Sequence, residues 1–203
     1  MSAAQERALE RALRPLSDPP QAPGWNHAEL SDLLGTDVRT PAAVLVPVVQ
    51  HAAGAAILFT VRNEAMRQHA GQVSFPGGRV EANDTDAVDT ALRETQEETG
   101  IDREKIRPIG FLDSFETISG FCVTPVVGYV SPDYTLQPDP NEVSDVFEVP
   151  LAFLLDMANL HSRHIEWQGK RREVFEYLYE GRRIWGATAA MLVNLQHRLG
   201  RAA

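Results

Sequence analysis

Apolar residues recur along the chain at two different intervals. Between residues 4 and 13, Ala8, Leu9 and Leu13 fall near one face at helical spacing before Pro15 and a Pro-rich stretch through Gly24 interrupt them. This predicts a short helix followed by a loop. Residues 42–49 and 55–61 are dense in Val, Ile, Leu and Phe, with turn residues from His51 to Gly54 between them, which predicts a hairpin-like pair of strands. Residues 73–75 predict a short strand that stops at Pro76-Gly77-Gly78, because proline cannot donate to a ladder and glycine weakens one. Residues 84–100 read as a helix, with Asp84 as N-cap, Gly100 as the C-terminal stop, and Val88, Ala91, Leu92, Thr95 and Thr99 on one face. Further strands are expected over residues 107–115, 121–130, 146–149, 164–167 and 174–179, and helices over 151–157 and 187–199. Strands mixed with a few helices, without βαβ alternation, point to α+β layers rather than a doubly wound sheet.

The chain of 203 residues, 43% hydrophobic and 23% charged, is long enough to bury one proper core. A net charge of -9 argues against a broad nucleic-acid-binding surface, since such surfaces neutralise phosphates with Lys and Arg. A phosphate-bearing substrate must then be met by local cations or a metal. Cys122 is the single cysteine, so no intrachain disulfide can form and a reducing, cytoplasmic setting is expected. The first residues lack the apolar core of a signal peptide, and no apolar run approaches the roughly 20 residues needed to span a bilayer. No membrane association is expected.

The informative segment is Arg93-Glu94-Thr95-Gln96-Glu97-Glu98-Thr99-Gly100. At about 100° per residue, Glu94, Glu97 and Glu98 fall within one arc of the helix and away from Gln96. Like charges so spaced destabilise an isolated helix by about 0.2–0.5 kcal/mol per pair. A hard cation bound by oxygen ligands would offset that repulsion. The ordinary reading of a lone Glu-x-x-Glu-Glu is a solvated face, but here a glycine turn lies just upstream, and Arg93 sits one turn before Glu97 where it could orient a carboxylate.

In these residues the chain resembles the Nudix family, whose box runs Gly, five residues, Glu, seven residues, then Arg-Glu-U-x-Glu-Glu-x-Gly-U, with U aliphatic. Arg93 to Ile101 match the second half, with Thr95 in an aliphatic place. The first half matches Gly78 if one extra loop residue is allowed, and Asp84 then takes the acidic position. The resemblance implies an α+β fold, a Nudix-type α/β/α sandwich with a mixed sheet. It implies Mg²⁺ or Mn²⁺ held by Glu94, Glu97 and Glu98, with the Gly78 carbonyl contributing, and a water activated by Glu98 or by the loop acid Glu142.

Upstream, Leu58-Phe59-Thr60-x-Arg62-Asn63, then Arg67, Gly71 and Phe75-Pro76-Gly77-Gly78, resembles the signature of the coenzyme A pyrophosphatase branch; Phe59 and Asn63 depart from it. The extra loop residue and the Arg183-Ile184-Trp185-Gly186-Ala187-Thr188 run also resemble that branch. The implied reaction is hydrolysis of coenzyme A or acyl-CoA, with Arg62, Arg67 and Gly71 as substrate contacts. Two guanidinium groups suit bidentate phosphate contacts, although surface arginines and loop glycines are common in themselves. His69, with no second His or Cys at ligand spacing, reads as structural. Residues 1–40 are expected to form a helix and loop packed on a domain of residues 41–203. The oligomeric state, a homodimer included, stays open. Alternatives are a Nudix hydrolase for ADP-ribose, dinucleotides or nucleoside triphosphates, and a catalytically idle nucleotide-binding module.

Overall fold

A computed structural model of the chain describes residues 1–34, 38–65, 69–167 and 169–202. In chain order the elements are α1 (Ala3–Ala12), α2 (His27–Leu30), β1 (Thr40–His51), β2 (Gly54–Arg62), β3 (Val73–Ser74), β4 (Gly77–Arg79) and α3 (Ala87–Thr99). There follow β5 (Ile106–Phe111), β6 (Phe115–Glu116), β7 (Phe121–Val130), β8 (Val143–Pro150), α4 (Leu151–Leu155), β9 (His161–Trp167), β10 (Lys170–Tyr179), β11 (Arg182–Trp185) and α5 (Gly186–Ala202).

The central element is β1, whose nearly unbroken apolar sequence suits a strand covered on both faces. It runs parallel to β7 and antiparallel to β2 and β4, within a mixed sheet ordered β3-β2-β1-β7-β5. On one face Ala43, Leu45 and Val49 of β1 pack with Ala91 of α3 and Ile101. On the other, Ala42, Val46 and Val48 join Leu192 and Leu195 of α5, Leu9 of α1, and Tyr177 and Ile184 from a smaller β11-β10-β9 sheet. Helices therefore cover both faces of one mixed sheet, the α+β sandwich expected.

The upper halves of β1 and β2 diverge. β4 pairs with Ala42 to Val44 of β1, whereas β3 pairs with Thr60 and Val61 of β2, and Phe75-Pro76 joins the two short strands across the gap. This corrects the expectation that Pro76-Gly77-Gly78 ends regular structure: the glycines form a strand paired with β1, so closely that a Cβ at Gly77 would lie 2.4 Å from the Ala43 carbonyl oxygen.

Other boundaries also differ from expectation. His51 ends β1 rather than opening the turn. The strand expected over 107–115 is split into β5 and β6, since the Ser114 carbonyl accepts from Trp25 and the Asp113 backbone N–H donates to Asn194. β8 starts earlier, at Val143, and β11 was not anticipated at all. Its turn is Glu180-Gly181, both at positive φ (47° and 79°), as a tight two-residue hairpin requires. No helix among the described residues is long and apolar enough to cross a membrane.

Candidate active site

The helix α3 carries the acidic cluster, and its register is fixed by its buried side. Thr90, Ala91, Thr95 and Thr99 face inward. Thr95, in the place where the family pattern has an aliphatic residue, is fully buried and satisfies its hydroxyl on the Ala91 carbonyl at 2.6 Å; Thr99 does the same on Thr95. Burying these hydroxyls therefore leaves no unmet hydrogen bond. The helix starts two residues later than expected: Asp86, not Asp84, is the N-cap, accepting from the Asp89 N–H. Gly100 ends it at φ 75° beneath Gln137, whose backbone nitrogen a Cβ would approach to 2.8 Å.

Asp84 is unavailable as a cap because Arg93 holds it. Arg93 Nε and Nη2 donate to its two oxygens at 2.9 and 3.0 Å, Thr90 Oγ1 donates at 2.8 Å, and Arg93 Nη2 also reaches the Arg79 carbonyl. The Arg93 fork first, then the Glu81 N–H, hold the Asp84 carboxyl well below its ordinary range. The remaining nitrogen, Nη1, donates to Glu94 at 3.0 Å and to Glu97 at 2.9 Å. One guanidinium thus ties the glycine turn to three acids.

The three helix carboxylates do not lie alike. Glu94 is half-buried over the turn, so close that a Cβ at Gly78 would stand 2.4 Å from its Oε1. Glu97 is exposed and drawn to Arg93. Glu98 is buried and accepts from the Gly77 N–H at 3.3 Å. Burial pushes its carboxyl up to about 8; Arg62 opposes this, and the charges of Glu94 and Glu142 add to it. Burial also raises Glu94, against Arg93. Among the described residues, no three His, Cys, Asp or Glu side chains already stand close enough together to enclose an ion. Glu94 and Glu98 flank Gly77 and Gly78, and Glu97 is turned toward Arg93.

Arg62 stands at the end of β2, where the β2–β8 register shifts, with Nη1 3.7 Å from Glu98 Oε1. Its Nε is buried without a hydrogen-bond partner among the described residues. Arg67 lies outside the described residues. Gly71, at φ 67°, donates its N–H to the Arg62 carbonyl and so closes the loop after β2. His69 contacts Gln72 at 2.9 Å within that loop. Glu142 is exposed, and its charge bears on both Glu94 and Glu98. Its loop is anchored to the end of α3, where Gln137 and Asp139 N–H groups donate to the Thr99 and Glu98 carbonyls at 2.9 and 3.2 Å. Trp185 is partly buried, with Arg183 4.7 Å above its ring.

Asn63 was not anticipated as part of this assembly. Its backbone N–H donates to the Glu142 carbonyl at 2.8 Å and its side-chain amide to the Pro140 carbonyl at 2.5 Å. The available signal was an amide standing where the pattern has a small residue. Chemically, the assembly offers oxygen ligands for a hard divalent cation, a buried carboxyl able to take a proton near neutral pH, and an arginine beside both.

Residues 39–168 match the NUDIX domain family. An uncharacterized Nudix hydrolase NudL of Citrobacter koseri is 40% identical over 162 residues, covering 80% of this chain and 84% of that protein. The NudL of Klebsiella pneumoniae is 41% identical over 159 residues, covering 78% and 82%. Among solved structures, a MutT/nudix family protein from Enterococcus faecalis aligns with 99% of this chain and 75% of its own, with TM-score 0.50 and 18% identity. At that identity the likeness concerns the fold.

Proposed function

The chain belongs to the Nudix family, and from that premise we propose that it is a metal-dependent hydrolase of coenzyme A or acyl-CoA. Water cleaves the diphosphate bridge, giving 4′-phosphopantetheine, or its acyl form, and adenosine 3′,5′-bisphosphate. The observation that carries this reading is the 3.7 Å approach of Arg62 to Glu98, because it joins the two sequence motifs in one place. An arginine from the segment resembling the coenzyme A signature thereby adjoins a carboxylate of the Nudix box.

In this reading Glu94, Glu97 and Glu98, with the Gly78 carbonyl, hold Mg²⁺ or Mn²⁺. The fit rests on the donor set and on the charge balance: three carboxylates and a backbone oxygen suit a hard cation, and Glu98 is buried with no hydrogen bond from Arg62. When bound, the cation neutralises diphosphate oxygens and lowers the pKa of water. Arg93 orients Glu94 and Glu97. Glu98 takes the proton of the attacking water, with Glu142 as the other candidate. Arg62 and Arg67 contact substrate phosphates, as does Gly71, whose N–H closes the loop on the Arg62 carbonyl.

The test is to incubate the purified protein with Mg²⁺ and coenzyme A and to identify the products by mass. The two halves named above are expected. Turnover of ADP-ribose, a dinucleotide or a nucleoside triphosphate without coenzyme A would replace the substrate. No turnover on any diphosphate would favour an idle nucleotide-binding module.

A further inference from the structure

Two segments meet at the candidate site, where Arg62 of β2 pairs with Val143 of β8, and the Asn63 side chain adds a bridge beyond that ladder. The first is the end of β2, which carries Arg62. The second is the loop from Gln137 to Glu142, fastened to α3 through the Glu98 and Thr99 carbonyls. Within the loop, the Glu142 and Val143 N–H groups donate to the Asp139 carbonyl at 3.1 and 2.8 Å, and Asn141 caps the Asp139 carboxylate. The loop is thus a compact turn with one anchor on α3, and Glu142 lies at the far end from that anchor.

The second anchor is Asn63. Its side-chain amide donates to the Pro140 carbonyl, its backbone N–H donates to the Glu142 carbonyl, and its side-chain oxygen accepts from the Ala65 N–H at 2.8 Å. The amide is thereby fixed from both ends, its oxygen on its own loop and its nitrogen on the other. A small residue here could keep the backbone bond but not the bridge.

We propose that Asn63 is a positioning residue for Glu142: by bridging to Pro140 it holds the loop that carries Glu142 between the end of β2 and the end of α3 on which Glu98 stands. This rests on the hydrolase reading, and it adds that Glu142 serves turnover in place rather than as a freely swinging acid. Asn63→Ala removes the bridge. Asn63→Asp keeps the Ala65 bond but cannot donate to Pro140.

The test is a double-mutant cycle with Asn63→Ala, Asn63→Asp, Glu142→Gln and the Asn63→Ala/Glu142→Gln pair, with kcat and KM measured on the diphosphate that the wild type cleaves best. Using that substrate keeps the cycle valid if coenzyme A proves not to be it. Both Asn63 variants should lower kcat about tenfold, the scale of one lost hydrogen bond, with KM changed less than about twofold. In the Glu142→Gln background, Asn63→Ala should have no further effect on kcat. Equal losses in both backgrounds, full activity of Asn63→Asp, or full activity of Glu142→Gln would overturn the proposal. Amide hydrogen exchange adds a readout independent of turnover: Glu142 and Val143 should exchange faster in Asn63→Ala, and unchanged protection there would also overturn it.

Discussion

Arg93 grips Asp84 with two parallel hydrogen bonds, Nε to Oδ1 at 2.9 Å and Nη2 to Oδ2 at 3.0 Å. The pair closes the loop between β4 and α3, and it leaves Nη1 free to serve Glu94 and Glu97. The acidic residue before α3 therefore acts on the site through Arg93, not as a helix cap. Three carboxylates depend on this one fork.

A first prediction concerns stability. The Asp84 carboxyl is held below its ordinary 3.8, so its contribution is fully present above that value and is lost progressively as pH falls below it toward the lower folded value. Asp84→Asn should lower Tm at about pH 7, and the gap to wild type should narrow as pH drops below about 3.8. Thermal denaturation across pH checks both statements. A gap that stays constant with pH would assign the loss to packing instead of charge.

Glu98 has the opposite sign. Its carboxyl is raised from 4.5 to about 8, so an unfolded chain ionises first and stability falls as pH rises between those values. Without divalent cations, Glu98→Gln should gain Tm relative to wild type across that window. With saturating Mg²⁺ it should lose about two decades or more in kcat, the scale of a missing general base. Glu97→Gln, at an exposed position, should likewise stay folded and lose turnover. Near wild-type rates for either variant would remove that residue from the site.

How far the sequence revealed this site depended on how local each signal was. That Glu94, Glu97 and Glu98 share one arc of a helix was legible from periodicity alone, and so was the stop at Gly100, whereas the metal role proposed for them came from the resemblance of the segment to the family box. The pattern could not show that Arg93 serves Asp84 and the Arg79 carbonyl, because that choice is made by the β4 turn packing against α3. Similarly, β4 hid behind proline and glycine because its strand pairing requires glycine for close approach to β1. The link from Asn63 to Pro140 spans 77 residues, and no interval in the sequence reports a contact of that kind.

A third prediction concerns the substrate. Arg62 Nη1 stands 3.7 Å from Glu98, beyond hydrogen-bond reach, and its Nε has no partner among the described residues, so the guanidinium has donor capacity left for a phosphate. Coenzyme A carries a 3′-phosphate that its dephosphorylated analogue lacks, and the Arg62 and Arg67 pair offers charge for it. Coenzyme A should be preferred by about one to two decades in kcat/KM, matching about 1.5–3 kcal/mol for one charge-assisted contact. Competition between the two compounds measures this. Equal efficiency would take the 3′-phosphate out of recognition.

The last prediction is which bond breaks. An acyl-CoA offers water two electrophiles, the thioester carbonyl and the diphosphate phosphorus. Thioester cleavage by nucleophilic catalysis needs an activated serine or cysteine, and burial raises the thiol pKa of Cys122, the single cysteine. By contrast, carboxylates gathered at a glycine turn with an arginine beside them suit charge stabilisation on phosphoryl oxygens. The acyl group should therefore leave intact on 4′-phosphopantetheine. In ¹⁸O-labelled water the label must enter a product phosphate, because water attacks phosphorus and the phosphoanhydride oxygen departs with the other half. Label in a released fatty acid, with the diphosphate whole, would make the enzyme a thioesterase and leave Glu94, Glu97 and Glu98 without the role proposed for them.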